Sequence, residues 1–237
     1  MTLQISVAIL TSFLVGYFGF NFLELFYARV YSKPLVVHNH LFLRKLRPEQ
    51  QKLIENMFPF YARLSPKKKR VFQHRVLNFI EDKEFIGIDG VQITAEIQIL
   101  VASVAVMITF GMRRYLIESV SKIIIYPSQY YSEWNKNYHL GEYNPFLKAI
   151  VLSWEDFKRG LLIKDDNKNL GIHEFAHALN FNATHFKDTS SILFADWLQK
   201  MEMLVTSKDF VAKLNASNYL REYAKTNKWC CFQNTRD

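Results

Sequence analysis

Residues 1–23 carry no charged side chain, and the run from Leu3 to Leu23 is dominated by Ile, Val, Leu and Phe. As a helix it is roughly 30 Å long, enough to cross a bilayer core. Gly16 and Gly19 suit a membrane helix, and Tyr17, Phe18, Phe20, Phe22, Phe26 and Tyr27 form a bulky interface belt. A buried core helix would not need that belt. A cleaved signal peptide would need a basic start and a small-residue cleavage site, and neither is present. The pattern predicts one transmembrane helix over residues 1–27. Arg29, Lys33, Arg44, Lys45 and Arg47 all follow it, so the positive-inside rule puts the body in the cytoplasm. The same cations favour an anionic leaflet.

Residues 28–47 read as a juxtamembrane linker with Pro34 and a His-x-His pair, His38 and His40. With no third ligand close in sequence, that pair is expected to be incidental rather than a metal site. The body then occupies 48–237. Helices are predicted over 48–62 and 66–83, the second with Val71, Val76, Phe79 and Ile80 at helical spacing. Phe85-Ile86-Gly87 reads as extended and Asp89-Gly90 as a turn. A second apolar run spans 94–111, but Glu96 interrupts its start. Its uncharged part, about 15 residues, is short for a span, so a buried central helix is expected. Strands are predicted at 123–126 and 149–154, joined by a polar, aromatic loop with Tyr130, Tyr131, Trp134 and Tyr138. Further helices are expected at 155–160, 168–182, 190–206 and 208–224. The class is α+β, mostly helical with a small sheet.

Composition changes this picture little. Of 237 residues, 49% are hydrophobic and 22% charged, which excludes a disordered chain. The two cysteines are neighbours, Cys230 and Cys231, which excludes a disulfide-stapled fold and a Cys-rich zinc finger. The net charge of +8 favours anionic partners. The densest basic run, Lys67-Lys68-Lys69-Arg70, stands alone as a solvated helix start, and nucleic acid is not expected as a partner.

The chemistry is concentrated in Leu-Gly-Ile-His-Glu-Phe-Ala-His-Ala-Leu-Asn, residues 170–180. Residues four apart on a helix share a face. His173 and His177 can therefore aim two imidazoles at one zinc ion, with Glu174 beside them as general base for a metal-activated water. Peptide or amide hydrolysis is the natural reaction. Two histidines and a Glu can also meet by chance on any helix. Here Leu170, Ile172, Phe175, Ala176 and Leu179 make the helix largely buried, and buried polar groups need a polar reason to be there. Asp165, Asp166, Asn167 and Asn169 offer N-caps before it.

Several segments occur in order: Ile93-Thr94-Ala95-Glu96, Ile124-Ile125-Tyr126-Pro127, Gly141-Glu142, Val151-Leu152-Ser153-Trp154, His173-Glu174-Phe175-Ala176-His177 and Tyr223-Ala224-Lys225-Thr226-Asn227. In these the chain resembles the Mlc titration factor A family of zinc peptidases, whose catalytic core is similar to that of anthrax lethal factor. The resemblance implies a zincin-like metallopeptidase domain binding Zn2+ and acting on a peptide or protein substrate. It implies His173 and His177 as ligands, Glu174 as base, and Tyr223 as a group that helps stabilise the oxyanion. It places the strand near 149–154 at the cleft edge, where an extended substrate could pair. It also implies an alternative, non-catalytic role: binding a transcriptional regulator.

Two positions depart from the family. Its third zinc ligand, a Glu seven residues after the tyrosine, falls here on Cys230, in Lys228-Trp229-Cys230-Cys231-Phe232, close to the last residue, Asp237. Three readings stand: a truncated or frame-shifted chain that has lost the ligand; Cys230 as a thiolate replacement; or another group such as Glu202, Glu222 or His185. Asn180 stands where the family has Asp, so any support it gives a ligand is uncharged.

Overall fold

The computed structural model describes residues 2–38, 40, 42–132, 136–162, 169–185 and 189–216. Helix α1 (Thr2–Tyr31) is apolar and long enough to cross a membrane. Residues 4–20 are exposed, and burial begins at Asn21. The helix runs a turn past the expected end at 27. Its last turns pack on the body through Glu24 and Ala28, 2% and 1% exposed, and this contact replaces solvent as the reason to stay helical. Of the residues from Ser32 to Leu46, the described ones follow as an irregular strap, with Val37, His38, Arg44 and Leu46 in contact with the body.

Helices α2 (Pro48–Met57), α3 (Pro59–Ala62) and α4 (Pro66–Asp82) follow, each with proline at its start. The break at Phe58 splits the expected 48–62 helix, because Pro59 disfavours the α conformation at Phe58. Strand β1 (Glu84–Gly87) leads to α5 (Ala95–Ile108), capped by the Thr94 hydroxyl, which accepts from the Ile97 N–H at 3.3 Å. This second apolar run is buried as expected: Leu100, Val101, Ala102, Val104, Ala105 and Val106 are fully covered. It packs between α4 and the motif helix α7 (Leu170–His185).

Strands β2 (Lys122–Tyr126), β3 (Tyr130–Ser132), β4 (Asn137–His139), β5 (Gly141–Asn144) and β6 (Ala149–Ser153) come next. They are followed by α6 (Trp154–Leu162), α7, α8 (Thr189–Thr206) and α9 (Lys208–Ala216). The main sheet has order β1-β2-β6-β5, parallel except for β5 against β6. Of the aromatic stretch expected as a loop, residues 130–132 instead pair antiparallel with residues 137–139, with Tyr130 opposite His139 and Tyr131 opposite Tyr138. Cross-strand aromatic packing stabilises the pairing, the Tyr131 and Tyr138 rings meeting edge to face at 5.4 Å.

The strand at 149–154 is not the sheet edge. All five residues of β6 are buried, and the strand pairs on both sides, with β2 and β5. A continuous apolar run belongs at a sheet centre. The edges are β1 and β5, and the four residues of β5, the edge next to β6, are all half-buried.

Candidate active site

Helix α7 begins at an N-cap the sequence supplies. The Asn169 side-chain oxygen accepts from the Ile172 N–H at 2.9 Å, and its amide donates to the Gly160 carbonyl at 3.2 Å. This fixes the first turn against α6. Gly171 brings α7 close to the Phe157 ring and Val104: a Cβ there would lie 2.5 Å from Phe157 Cε2. At the other end, the Ser119 N–H donates to Asn182 Oδ1 at 3.2 Å and the Ser119 hydroxyl to the Ala178 carbonyl at 3.3 Å.

On this fixed helix His173 and His177 turn to the same point. Their Nε2 atoms are 3.0 Å apart and their rings meet nearly at right angles, 86°. His173 is open to solvent and His177 half-buried, so the pair is less buried than the apolar pattern implied. Both are held below the ordinary imidazole pKa, His173 by partial desolvation of its ring and His177 by desolvation and then the charge of His173. Neutral imidazoles are the form that binds metal.

Glu174 lies between them in sequence and is buried, 5% exposed. Burial pushes its carboxyl up to about 7, the nearby Glu142 charge adds to this, and a hydrogen bond from the Tyr143 backbone N–H opposes it. The edge strand comes this close because residue 141 is glycine. A Cβ on Gly141 would sit 3.2 Å from Glu174 Oε1 and 2.7 Å from Leu170 Cδ1. A general base poised near neutrality beside two neutral imidazoles is what metal-assisted hydrolysis needs.

The two imidazoles suit a divalent metal by donor type and convergence. Among the described residues no group of three or more His, Cys, Asp or Glu forms a metal cluster. His185, two turns on, faces its own turn: its Nδ1 lies 2.9 Å from the Phe181 carbonyl and its ring stacks on Phe181 at 3.8 Å. Glu202 is exposed on α8. Tyr223, Glu222 and Cys230 lie outside the described residues, as do Asp165, Asp166, Asn167 and Trp134.

A model of the glucose-regulated metallo-peptidase M90 family matches residues 37–232. The chain belongs to this family, that of Mlc titration factor. It is also 26% identical over 151 residues to an uncharacterized protein of Synechocystis sp., a match covering 59% of this chain and 55% of that protein. The M90 assignment makes the domain metallopeptidase-like and implies a metal.

Sequence reading missed Gly141 and Tyr143 as neighbours of Glu174. The signal was present in the resemblance, which includes Gly141-Glu142, but the contact is long-range. It also missed His74. The ring of His40 lies 4.5 Å from that of His74, so a third imidazole joins the His-x-His pair from α4.

Proposed function

We propose that the chain is a zinc-dependent peptidase anchored by α1, with its body in the cytoplasm. The observation that carries this is the convergence of two neutral imidazoles, 3.0 Å apart, beside a buried carboxylate in a member of a metallopeptidase family. His173 and His177 would hold the ion. Bound there, zinc supplies Lewis-acid polarisation of a carbonyl and acidifies water.

The chain's own residues do the rest. Glu174 accepts the proton of the attacking water on a carboxylate oxygen and returns it to the leaving amine. The N–H of Tyr143 keeps that carboxylate in place while burial keeps its basicity near neutral. Strand β5 is the sheet edge near Glu174, and its outward backbone groups other than the Tyr143 N–H can pair with an extended peptide and so hold the scissile bond near the base. Tyr223 as oxyanion donor enters this reading through the resemblance, and Cys230 as third ligand would be a thiolate in place of the family's Glu. The M90 fold would then be zincin-like.

Elemental analysis of the purified chain, beside a His177→Ala control, tests metal binding. About one zinc per chain, absent in the control, is the expected result. Glu174→Gln, nearly isosteric, should bind zinc but abolish peptide cleavage. Unchanged cleavage would refute the role of the base. The alternative reading, a regulator-binding protein without catalysis, is favoured by Cys230, where the family has a Glu. It predicts that Glu174→Gln leaves function intact.

A further inference from the structure

The anchor and the body meet without a tether. Residues 4–20 of α1 are bare on all sides. Those 17 residues make a cylinder of about 26 Å, against about 30 Å of hydrocarbon in a bilayer. Contact with the body begins at once. Asn21, Glu24, Leu25 and Ala28 are buried or half-buried at spacings of three and four, a single stripe facing the body.

This contact is locked by charge. The Glu24 carboxylate pairs with Arg113 while only 3% exposed itself. The Arg113 guanidinium also lies 5.8 Å from the centre of the Phe20 ring, the last bare residue of the helix. Further along, Lys200 of α8 donates to the Ser32 hydroxyl at 3.3 Å. The same stretch reaches the imidazole pair. The Arg114 N–H donates to Ser190 Oγ at 3.3 Å, at the start of α8. Ser119 is bonded to the carbonyl of Ala178, the neighbour of His177. Five residues lie between Arg113 and Ser119, so the two are at most about 22 Å apart even with the chain fully extended. Adding the Ser119 side chain, its hydrogen bond, the step from Ala178 to His177 and the reach of the imidazole keeps the pair within about 40 Å of the clamp at any tilt of α7.

We infer that the substrates are themselves membrane proteins, cut in the juxtamembrane segment that emerges on the same side as the body. This rests on the anchored-peptidase reading above. An extended chain rises about 3.3 Å per residue, so the scissile bond lies within roughly the first twelve residues of the substrate outside the bilayer. A body on a flexible linker would sample all heights; one seated on its helix samples one.

Two measurements on the full chain in vesicles test this. In the first, a donor dye on Ile172→Cys, with Cys230 and Cys231 changed to Ser, reports height above acceptor-labelled headgroups. Ile172 is 37% exposed and precedes His173. A height below about 45 Å is expected, rising in Glu24→Ala/Arg113→Ala and restored by the charge swap Glu24→Arg/Arg113→Glu. A height above about 45 Å, or one that the clamp variants leave unchanged, overturns the inference whatever the catalysis.

In the second, single-span reporters carry one cleavable sequence about 10 or about 80 residues from the bilayer. The near reporter should be cut roughly twentyfold faster, because local concentration falls as the −3/2 power of tether length. That preference should shrink when the clamp is opened. Equal cutting of the two reporters, or of a soluble peptide, refutes the substrate class and leaves the peptidase standing. No cutting of any reporter by a zinc-loaded chain at the expected height refutes the peptidase, and the substrate class falls with it.

Discussion

Gly171→Ala places a methyl group where helix α7 meets α6 and α5. The new Cβ would lie 2.5 and 3.1 Å from Phe157 Cε2 and Cδ2, and 3.3 Å from Val104 Cγ1. Carbon atoms rest at about 3.5–4.0 Å, so the ring or the helix must yield by about 1 Å. Neither has room. Phe157 is 1% exposed and stacked on Trp154, and Val104 is fully buried. Overpacking of this kind costs about 1–3 kcal/mol. Against it stands the gain of about 1 kcal/mol for Ala over Gly inside a helix. The net expectation is a loss of about 1 kcal/mol, read as a lower denaturant midpoint at unchanged slope. Phe157→Leu removes the colliding ring. The double variant should therefore lose less than the sum of the single losses, with a coupling of about 1–2 kcal/mol. Stabilisation by Gly171→Ala, or single effects that add within about 0.5 kcal/mol, would refute the packing argument.

Gly141→Ala should push the Glu174 carboxylate aside, since its Cβ would lie 3.1 Å from Glu174 Cγ; a displacement near 1 Å costs about a hundredfold in turnover, and turnover within twofold of the parent would sink the claim. Excess zinc at about 100 times its Kd should stabilise the chain by about 2.7 kcal/mol, and EDTA or His173→Ala should remove that gain in a thermal scan. The strap should be acid-sensitive. Burial, then Arg75, His40 and Lys68, hold His38 down to about 4, and His40 and His74 are also held below their ordinary value, chiefly by burial. Arg44 and Arg75 face these rings, with Glu81 the facing carboxylate. The detached strap binds more protons than the docked one between about 4 and 6.5, so docking is firm above 6.5 and weakens as pH falls through that window. Protease nicking within residues 32–46 should rise over the same range, and His38→Phe/His40→Phe should flatten it; equal nicking at pH 7 and 5 would contradict this.

Much of the architecture is written locally. The uncharged start of α1 and the apolar run of α5 announce themselves by length and by Glu96, and His173, Glu174 and His177 by spacing. What escaped depends on partners distant in sequence. β6 is central because β2 and β5 flank it, and its own five residues read the same at an edge or in the middle. The helix past residue 27 persists because the body, α8 included, covers it at Ala28. His74 stands 34 residues from His40, and Gly141 meets Glu174 only when the sheet closes on α7. Tyrosine-rich 130–138 looks like a loop because its polar residues hide the alternation that pairs Tyr131 with Tyr138.

The clamp between anchor and body also has a history in time. Glu24 and Arg113 are 89 residues apart. At about 5–20 residues per second of synthesis, the carboxylate waits about 5–20 s for its arginine to be made. During that interval the helix can enter the bilayer with Glu24 hydrated at its rim. Only a body that has folded its 113–119 stretch correctly can cover it afterwards. A bare Glu24 thus marks an immature or misfolded chain at the membrane surface, and its burial marks completion.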